Sequence, residues 1–374
     1  MKSTELDRVL DRLMKPPQIR TEPGFAARML IPPGQMYDPL FMRDHGDVVL
    51  VNDDGGQERE RGRQGQILAI DPKGNVSTVV AVGRFAGPPM GFDIASASFG
   101  SYRGQIFTVT QPEAGERGVL KAHIVQRVDP TAQRDAETVC TLPPAGQPWA
   151  PGEPWTGADG KGIASGGMEG RFGPDDSPFA GKFFGVTFYN STVYQVTLDG
   201  ACTPFVSFDP QRWGYTIGLG FSPNRQHMLV SMHQIESKGT PVKATIARVR
   251  SDGTVETEQL VRASPEKLIS VWGMAYAPST FGRYAGQLFM AANNEQYNTA
   301  DRGKYRTHEA PEAGEVYRLT PEGELKLVAT GFHTAVDVHF VGNRLWVSDV
   351  NADYSMGPYR ELPDGFVVEI TAIP

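Results

Sequence analysis

Five side chains that can bind cations or move protons recur at or near the start of short apolar segments: Asp38, Asp93, Glu169, Asp337 and His339. Carboxylates that converge repel one another unless a cation or shared protons intervene. Carboxylate oxygens suit calcium, magnesium or manganese, and an added imidazole favours manganese or zinc. We predict that Asp38, Glu169 and Asp337 hold a divalent cation, and that His339 and Asp93 are the acid–base groups.

The same five residues also have a purely structural interpretation. Acidic side chains that line a wet channel can accept hydrogen bonds from backbone N–H groups and need no metal ion. The alignment that adds Glu169 to the set requires a shift of one residue. Both interpretations stay open at the level of the sequence.

The longer connections between apolar segments carry aromatic and polar side chains that suit a pocket for a small molecule. Residues 143–166 and 294–313 are among the longest connections. Long loops on one face of a rigid scaffold commonly carry binding groups. The predicted substrate-binding residues are Trp149, Trp155, His233, Asn294 and Tyr297.

An internal repeat defines the elements that position these residues. A segment of alternating apolar residues recurs six times, at separations of 51 to 70 residues: GQILAID, HIVQRVD, STVYQVT, ATIARVR, GEVYRLT and GFVVEIT. An apolar strand precedes each copy, and after it come a glycine-containing turn and a last strand, which contains Cys140 and Cys202 in two of the units. Four short strands per unit are typical of a propeller blade, so the chain is predicted to be an all-β, six-bladed β-propeller whose first strands line a central channel.

The sixth unit ends at Pro374 without a fourth strand. Residues 27–33, ARMLIPP, resemble the outer strand TVCTLPP of another unit, so we predict that this N-terminal strand joins the last blade and closes the ring. Apolar residues at helical spacing within 1–15 predict a short amphipathic helix. The predicted organisation is therefore a helix and lead-in over 1–24, followed by the propeller over 25–374.

Composition limits the partners and the compartment. The formal net charge is −7, and no run of Lys and Arg suits a phosphate backbone, so nucleic acid is not a predicted partner. No stretch of eighteen apolar residues predicts a membrane span. The N-terminus lacks the apolar core of a secretory signal, and the two cysteines fit neither a disulfide framework nor a zinc motif, so we predict a cytoplasmic protein. Nothing in the sequence indicates an oligomeric state.

The architecture and the acidic inner-strand positions resemble the calcium-dependent six-bladed propeller hydrolases, the senescence marker protein, gluconolactonase and paraoxonase-like group. Asp38, Glu169 and Asp337 fall at comparable strand starts, which implies a cation that polarises a lactone or ester carbonyl. The asparagine ligands of that family have no counterpart on the inner strands. The segments GFDIASASFGSYRGQIF and GMAYAPSTFGRYAGQLF also resemble glucose and sorbosone dehydrogenase-like propellers, which implies a quinone cofactor.

These features lead to one main hypothesis. We predict a metal-dependent hydrolase of a lactone or related small carbonyl compound, with its site at the top of the central channel. The alternatives are a metal-assisted lyase or isomerase at the same site, a non-catalytic binding propeller, and a quinone-dependent sugar dehydrogenase-like protein.

Overall fold

The structure is a computed structural model that describes residues 14–58, 63–110, 123–142, 167–188, 191–209, 211–235, 241–256, 261–262, 270–293, 314–350 and 363–373. This part of the chain is mostly β-strand, with short 3-10 turns at Ala97–Tyr102 and Gly282–Tyr284. Its strands form six sheets of four or five strands, which confirms the six-bladed β-propeller. The predicted N-terminal helix lies outside the described residues.

The strands of the first half follow the predicted repeat. Two strands precede the first blade, β1 (Arg20–Thr21) and β2 (Phe25–Met36). Blade 1 consists of β3 (Pro39–His45), β4 (Val48–Glu58), β5 (Arg63–Ile70) and β6 (Val76–Val80). Blade 2 consists of β7 (Pro89–Ile94), β8 (Ile106–Thr110), β9 (Ile124–Val128) and β10 (Glu137–Thr141). Blade 3 consists of β11 (Gly167–Phe172), β12 (Lys182–Thr187), β13 (Thr192–Thr197) and β14 (Cys202–Ser207).

The second half repeats the same arrangement. Blade 4 consists of β15 (Tyr215–Phe221), β16 (His227–Ile235), β17 (Pro241–Arg250) and β18 (Val261–Arg262). Blade 5 consists of β19 (Val271–Tyr276), β20 (Leu288–Asn293), β21 (Gly314–Leu319) and β22 (Leu325–Phe332). Blade 6 contains β23 (Ala335–Val341), β24 (Arg344–Asp349) and β25 (Gly365–Ala372). Neighbouring strands within each blade are hydrogen-bonded to each other and follow the order of the sequence.

The N-terminal strands complete the last two blades. β2 pairs with β25 as the fourth strand of blade 6, with Phe25 opposite Ala372 and Met36 opposite Gly365. Residues 27–33, which we predicted as this strand, lie within β2. β1 adds a fifth strand to blade 5, where Arg20 lies opposite Thr330 of β22. No sequence pattern indicates this fifth strand, because a strand of two residues is too short to show one.

The chain forms two compact units. The first comprises Met1–Gly56, Leu68–Thr78 and Trp272–Pro374, and the second comprises Gln57–Ile67 and Val79–Val271. Apolar residues between blades 5 and 6 form a core in the first unit, with Phe281, Phe289 and Phe332 almost fully buried. In the second unit Phe107 and Phe172 pack edge to face at 5.2 Å between blades 2 and 3. Each unit therefore buries the apolar face that its strand patterns predict.

A β-bulge or irregularity interrupts the inner strands of blades 1, 2, 3, 4 and 6 near their starts, for example between Pro39 and Met42 of β3 and between Ala335 and Asp337 of β23. An extra residue in one strand changes which side chains share a face beyond that point. The simple alternation of inner-strand side chains, on which the sequence prediction depended, is therefore broken at the positions of interest. The contacts of these side chains therefore do not follow from alternation alone.

Candidate functional site

Asp337 lies at the bulge of β23 in the first unit and is fully buried. Its Oδ2 accepts a hydrogen bond of 2.8 Å from the backbone N–H of Met42, on the inner strand of blade 1. The same oxygen lies 3.7 Å from Nη1 of Arg43, a side chain that is only 6% exposed. On the blade 5 side, a Cβ atom at Gly273 would lie 2.1 Å from Oδ1 of Asp337, so only glycine fits there. Asp337 therefore joins the inner strands of blades 6 and 1 and is in close contact with that of blade 5.

Asp93 and Glu169 make the same kind of bond in the second unit. Oδ2 of Asp93, on β7, accepts the N–H of Phe172 on β11 at 2.8 Å. The carboxylate of Glu169, on β11, accepts the N–H of Leu219 on β15 and a hydrogen bond from Nε of Arg171. Each carboxylate thus accepts an N–H from the inner strand of the next blade. These contacts favour the structural interpretation of the acidic residues. They disfavour a site in which every carboxylate oxygen binds a ligand.

Asp38 precedes β3 and is 3% exposed. Its backbone N–H donates to Oδ1 of Asp53 at 2.6 Å, and its carbonyl accepts the N–H of Asp54 at 3.1 Å. Its carboxylate lies against Gly55, where a Cβ atom would come within 2.9 Å of Oδ2. Asp53 and Asp54, in the middle of β4, are also buried. The start of the first inner strand is therefore a tightly packed acidic region of the first unit.

His339 lies near the other end of β23 and pairs with a residue that the sequence analysis did not select. Its Nε2 is 2.9 Å from Oδ1 of Asp44, near the end of β3, and 15% of its side chain remains exposed. Desolvation raises the pKa of the Asp44 carboxyl, but the hydrogen bond and charge of His339, together with the charge of Arg43, outweigh it and lower the pKa. Asp44 is therefore an ionised partner for an imidazole. In the sequence, only its position near the end of an inner strand distinguishes Asp44.

The position of His339 differs from the prediction. The sequence predicts His339 and Asp38 in one site at the top of the central channel. The register places Asp38 before the start of β3, whereas His339 is opposite Trp346, close to the turn between β23 and β24. The two residues belong to opposite ends of the inner strands.

His233, predicted to contact substrate, is a buried residue of the second unit. Its Nδ1 lies 3.0 Å from Oγ of Ser270, and its ring packs edge to face on Phe188 at 5.2 Å. Burial lowers the pKa of His233 to about 3, so the imidazole is neutral near pH 7. His123, which the sequence analysis left out, has its pKa lowered to about 4 for the same reason. Trp149, Trp155, Asn294 and Tyr297 lie outside the described residues.

The fit of a divalent cation can be judged from the donors that the structure describes. Within the described ranges, no three His, Cys, Asp or Glu side chains are grouped so that they could hold a metal ion. The carboxylates of Asp337, Asp93 and Glu169 already accept backbone N–H groups. The described residues alone therefore do not fit a cation site, and the predicted metal ligands stay a prediction.

Comparison with known proteins identifies solved structures whose fold is similar to that of this chain. No family model matches the sequence, and no curated protein matches it. A glucose dehydrogenase structure superposes with a TM-score of 0.57 at 12% identity, covering 93% of this chain and 100% of that one. A putative glucose dehydrogenase from Thermus thermophilus gives 0.55 at 15%, with the same coverage. A gluconolactonase from Xanthomonas campestris gives 0.54 at 14%, covering 96% of this chain and 95% of that one.

The similarity to these solved structures is limited to the fold. The neighbours include both groups that the sequence resembles, a gluconolactonase and glucose dehydrogenases. At 12–15% identity they show a shared propeller architecture and carry no residue assignments to this chain. No described helix is long and apolar enough to cross a membrane.

Proposed function

We propose that the protein is an enzyme that hydrolyses a lactone or a related small carbonyl compound, with His339 as the general base. The observation that carries the proposal is the 2.9 Å contact between Nε2 of His339 and Oδ1 of Asp44. A carboxylate that holds one nitrogen of an imidazole fixes the tautomer and stabilises the imidazolium that forms during proton transfer. This pair joins two side chains, whereas Asp337 and Asp93 accept hydrogen bonds from backbone N–H groups.

The reaction follows from the proton positions. With the proton on Nε2 shared with Asp44, Nδ1 of His339 carries the lone pair and removes a proton from water. The resulting hydroxide attacks the carbonyl carbon, and the C–O bond of the lactone breaks. The imidazolium returns its proton to the leaving oxygen, so that one water and one lactone give one hydroxy acid. A base of this kind contributes about 10²–10⁴ in rate.

Replacing His339 with Gln should lower kcat/KM for the best lactone substrate by about 10²–10⁴, because the base is removed. Asp44→Asn should give a smaller loss of kcat/KM, because an amide in place of the carboxylate no longer fixes the tautomer of the His339 imidazole. His45→Gln is the matched control, since it removes an exposed imidazole one residue from Asp44 on the same strand. The measurement is steady-state hydrolysis across a panel of lactones and esters. Full activity of the His339→Gln variant would remove the proposed base, and no turnover of any panel member by the wild type would contradict the hydrolase itself.

The predicted cation is calcium, or else manganese, zinc or magnesium. Its binding can be tested separately, because the proposed reaction of His339 does not depend on a metal ion. Metal analysis of extensively dialysed protein is combined with thermal melting before and after chelation. The prediction requires about one retained ion per chain and a lower melting temperature after its removal. No retained ion, together with no response to any of the four cations, would contradict it and leave the His339 proposal intact.

A non-catalytic binding propeller is the second candidate. It is favoured by the hydrogen bonds through which Asp93, Glu169 and Asp337 join neighbouring inner strands, because a binding protein needs such carboxylates for structure only. A lyase or isomerase reaction would use the same acid–base pair. Reconstitution with a quinone and reduction of a dye would distinguish a dehydrogenase from all three.

A further inference from the structure

The two cysteines of the chain meet on neighbouring blades of the second unit. Cys140 lies on β10, the outer strand of blade 2, and Cys202 begins β14, the outer strand of blade 3. They are 62 positions apart in the sequence, yet both side chains pack against the same apolar cluster, and the interaction between them shifts the pKa of both thiols. Both are free thiols, and both are partly exposed. An oxidant in solution can therefore reach two cysteines whose side chains lie near each other.

The surrounding residues hold the two outer strands side by side. Both cysteines pack against the same apolar cluster between blades 2 and 3. The turn before β14 approaches β10 as well, since a Cβ atom at Gly200 would lie 3.8 Å from the carbonyl oxygen of Val139. Within their own blades, Cys140 lies opposite Val125 and Cys202 lies opposite Val196. Both cysteines thus lie where the two sheets pack against each other, and both backbones are held by strand pairing.

The two thiols differ in acidity. The hydrogen bond from Cys140 lowers the pKa of Cys202, because the donated proton stabilises the Cys202 thiolate. The thiolate is the nucleophilic form of cysteine. We expect Cys202 to react first with an oxidant and Cys140 to resolve the product.

We propose that Cys140 and Cys202 form a reversible disulfide that joins the outer strands of blades 2 and 3. With a peroxide as oxidant, the Cys202 thiolate attacks one peroxide oxygen, and the O–O bond breaks to give a sulfenic acid and hydroxide. The Cys140 sulfur then attacks the sulfenic sulfur, and the S–O bond breaks to release water. In total, two thiols and one hydrogen peroxide give one disulfide and two water molecules. A dithiol reductant reverses the bond by thiol–disulfide exchange.

The experiment uses the full-length wild-type protein, treated with a small excess of hydrogen peroxide and then alkylated under denaturing conditions. The expected product has no alkylated cysteine, an intact mass about 2 Da below that of the reduced chain, and a peptide that links Cys140 to Cys202. The melting temperature should rise by a few degrees, because the bond closes a loop of some 60 residues, and dithiothreitol should reverse the rise.

Cys140→Ser and Cys202→Ser variants separate the roles of the two sulfurs. Under the same treatment Cys140→Ser should accumulate sulfenic acid at Cys202, detected with a dimedone probe, and neither variant should gain stability. Two alkylatable thiols in peroxide-treated wild type would overturn the proposal, as would a disulfide that forms only between chains. Because the decisive measurement is made on the wild type, poor folding of a serine variant does not affect it.

Discussion

Asp337→Ala should lower the free energy of unfolding by about 3–5 kcal/mol. The substitution removes the acceptor of the Met42 N–H and a buried carboxylate that lies 3.7 Å from the guanidinium of Arg43. A buried charge that loses its partner is costly because the lost attraction is not replaced by water. Asp337→Asn should be less damaging, since an amide oxygen can still accept the N–H of Met42. Urea unfolding followed by circular dichroism measures all of these differences.

Asp47→Ala provides the matched control for Asp337. Asp47 is an exposed aspartate in the turn that follows β3, so its removal should change stability by no more than about 0.5 kcal/mol. An Asp337→Ala protein with wild-type stability that nevertheless loses a bound metal and turnover would contradict the structural role. It would instead support the prediction that Asp337 is a metal ligand.

Stability should fall steeply between about pH 6.5 and pH 4, because His233 and His123 are held neutral by burial. Their pKa values in the folded protein are about 3 and about 4, against 6.5 when exposed. In this window the unfolded chain binds protons that the folded chain does not, so acid favours unfolding. Each histidine contributes up to about 1.4 kcal/mol per pH unit. Below the folded pKa values no further loss arises from these residues.

Urea unfolding from pH 7.5 to pH 4 measures this loss, and His233→Gln should make the dependence on pH shallower. His45→Gln, at an exposed position, should leave the slope unchanged. An NMR titration of the wild-type imidazoles gives a test that needs no variant. A His233 resonance that titrates near pH 6.5 in the folded protein would contradict the prediction.

Much of the fold could be predicted from the sequence because the repeat is regular. The segments STVYQVT and GEVYRLT correspond to β13 and β21, and both cysteines lie on outer strands, as the repeat predicted. The candidate site was less predictable because of the bulges in the inner strands. Alternation selected Asp337 as a channel residue, whereas the bulge beside it lets its carboxylate bond to the N–H of Met42. The pairing of His339 with Asp44 spans 295 positions, and no local pattern reports such a contact.

The pairing of β2 with β25 has a consequence for how the protein is made. β2 leaves the ribosome more than 300 residues before its partner strand, which begins at residue 365. Until then β2 presents unpaired N–H and C=O groups that can join the edge of another chain. Contacts so distant in sequence also slow folding, because a long segment must be ordered before they form. We expect the nascent chain to depend on chaperones until β25 has been synthesised, because blade 6 cannot close before then.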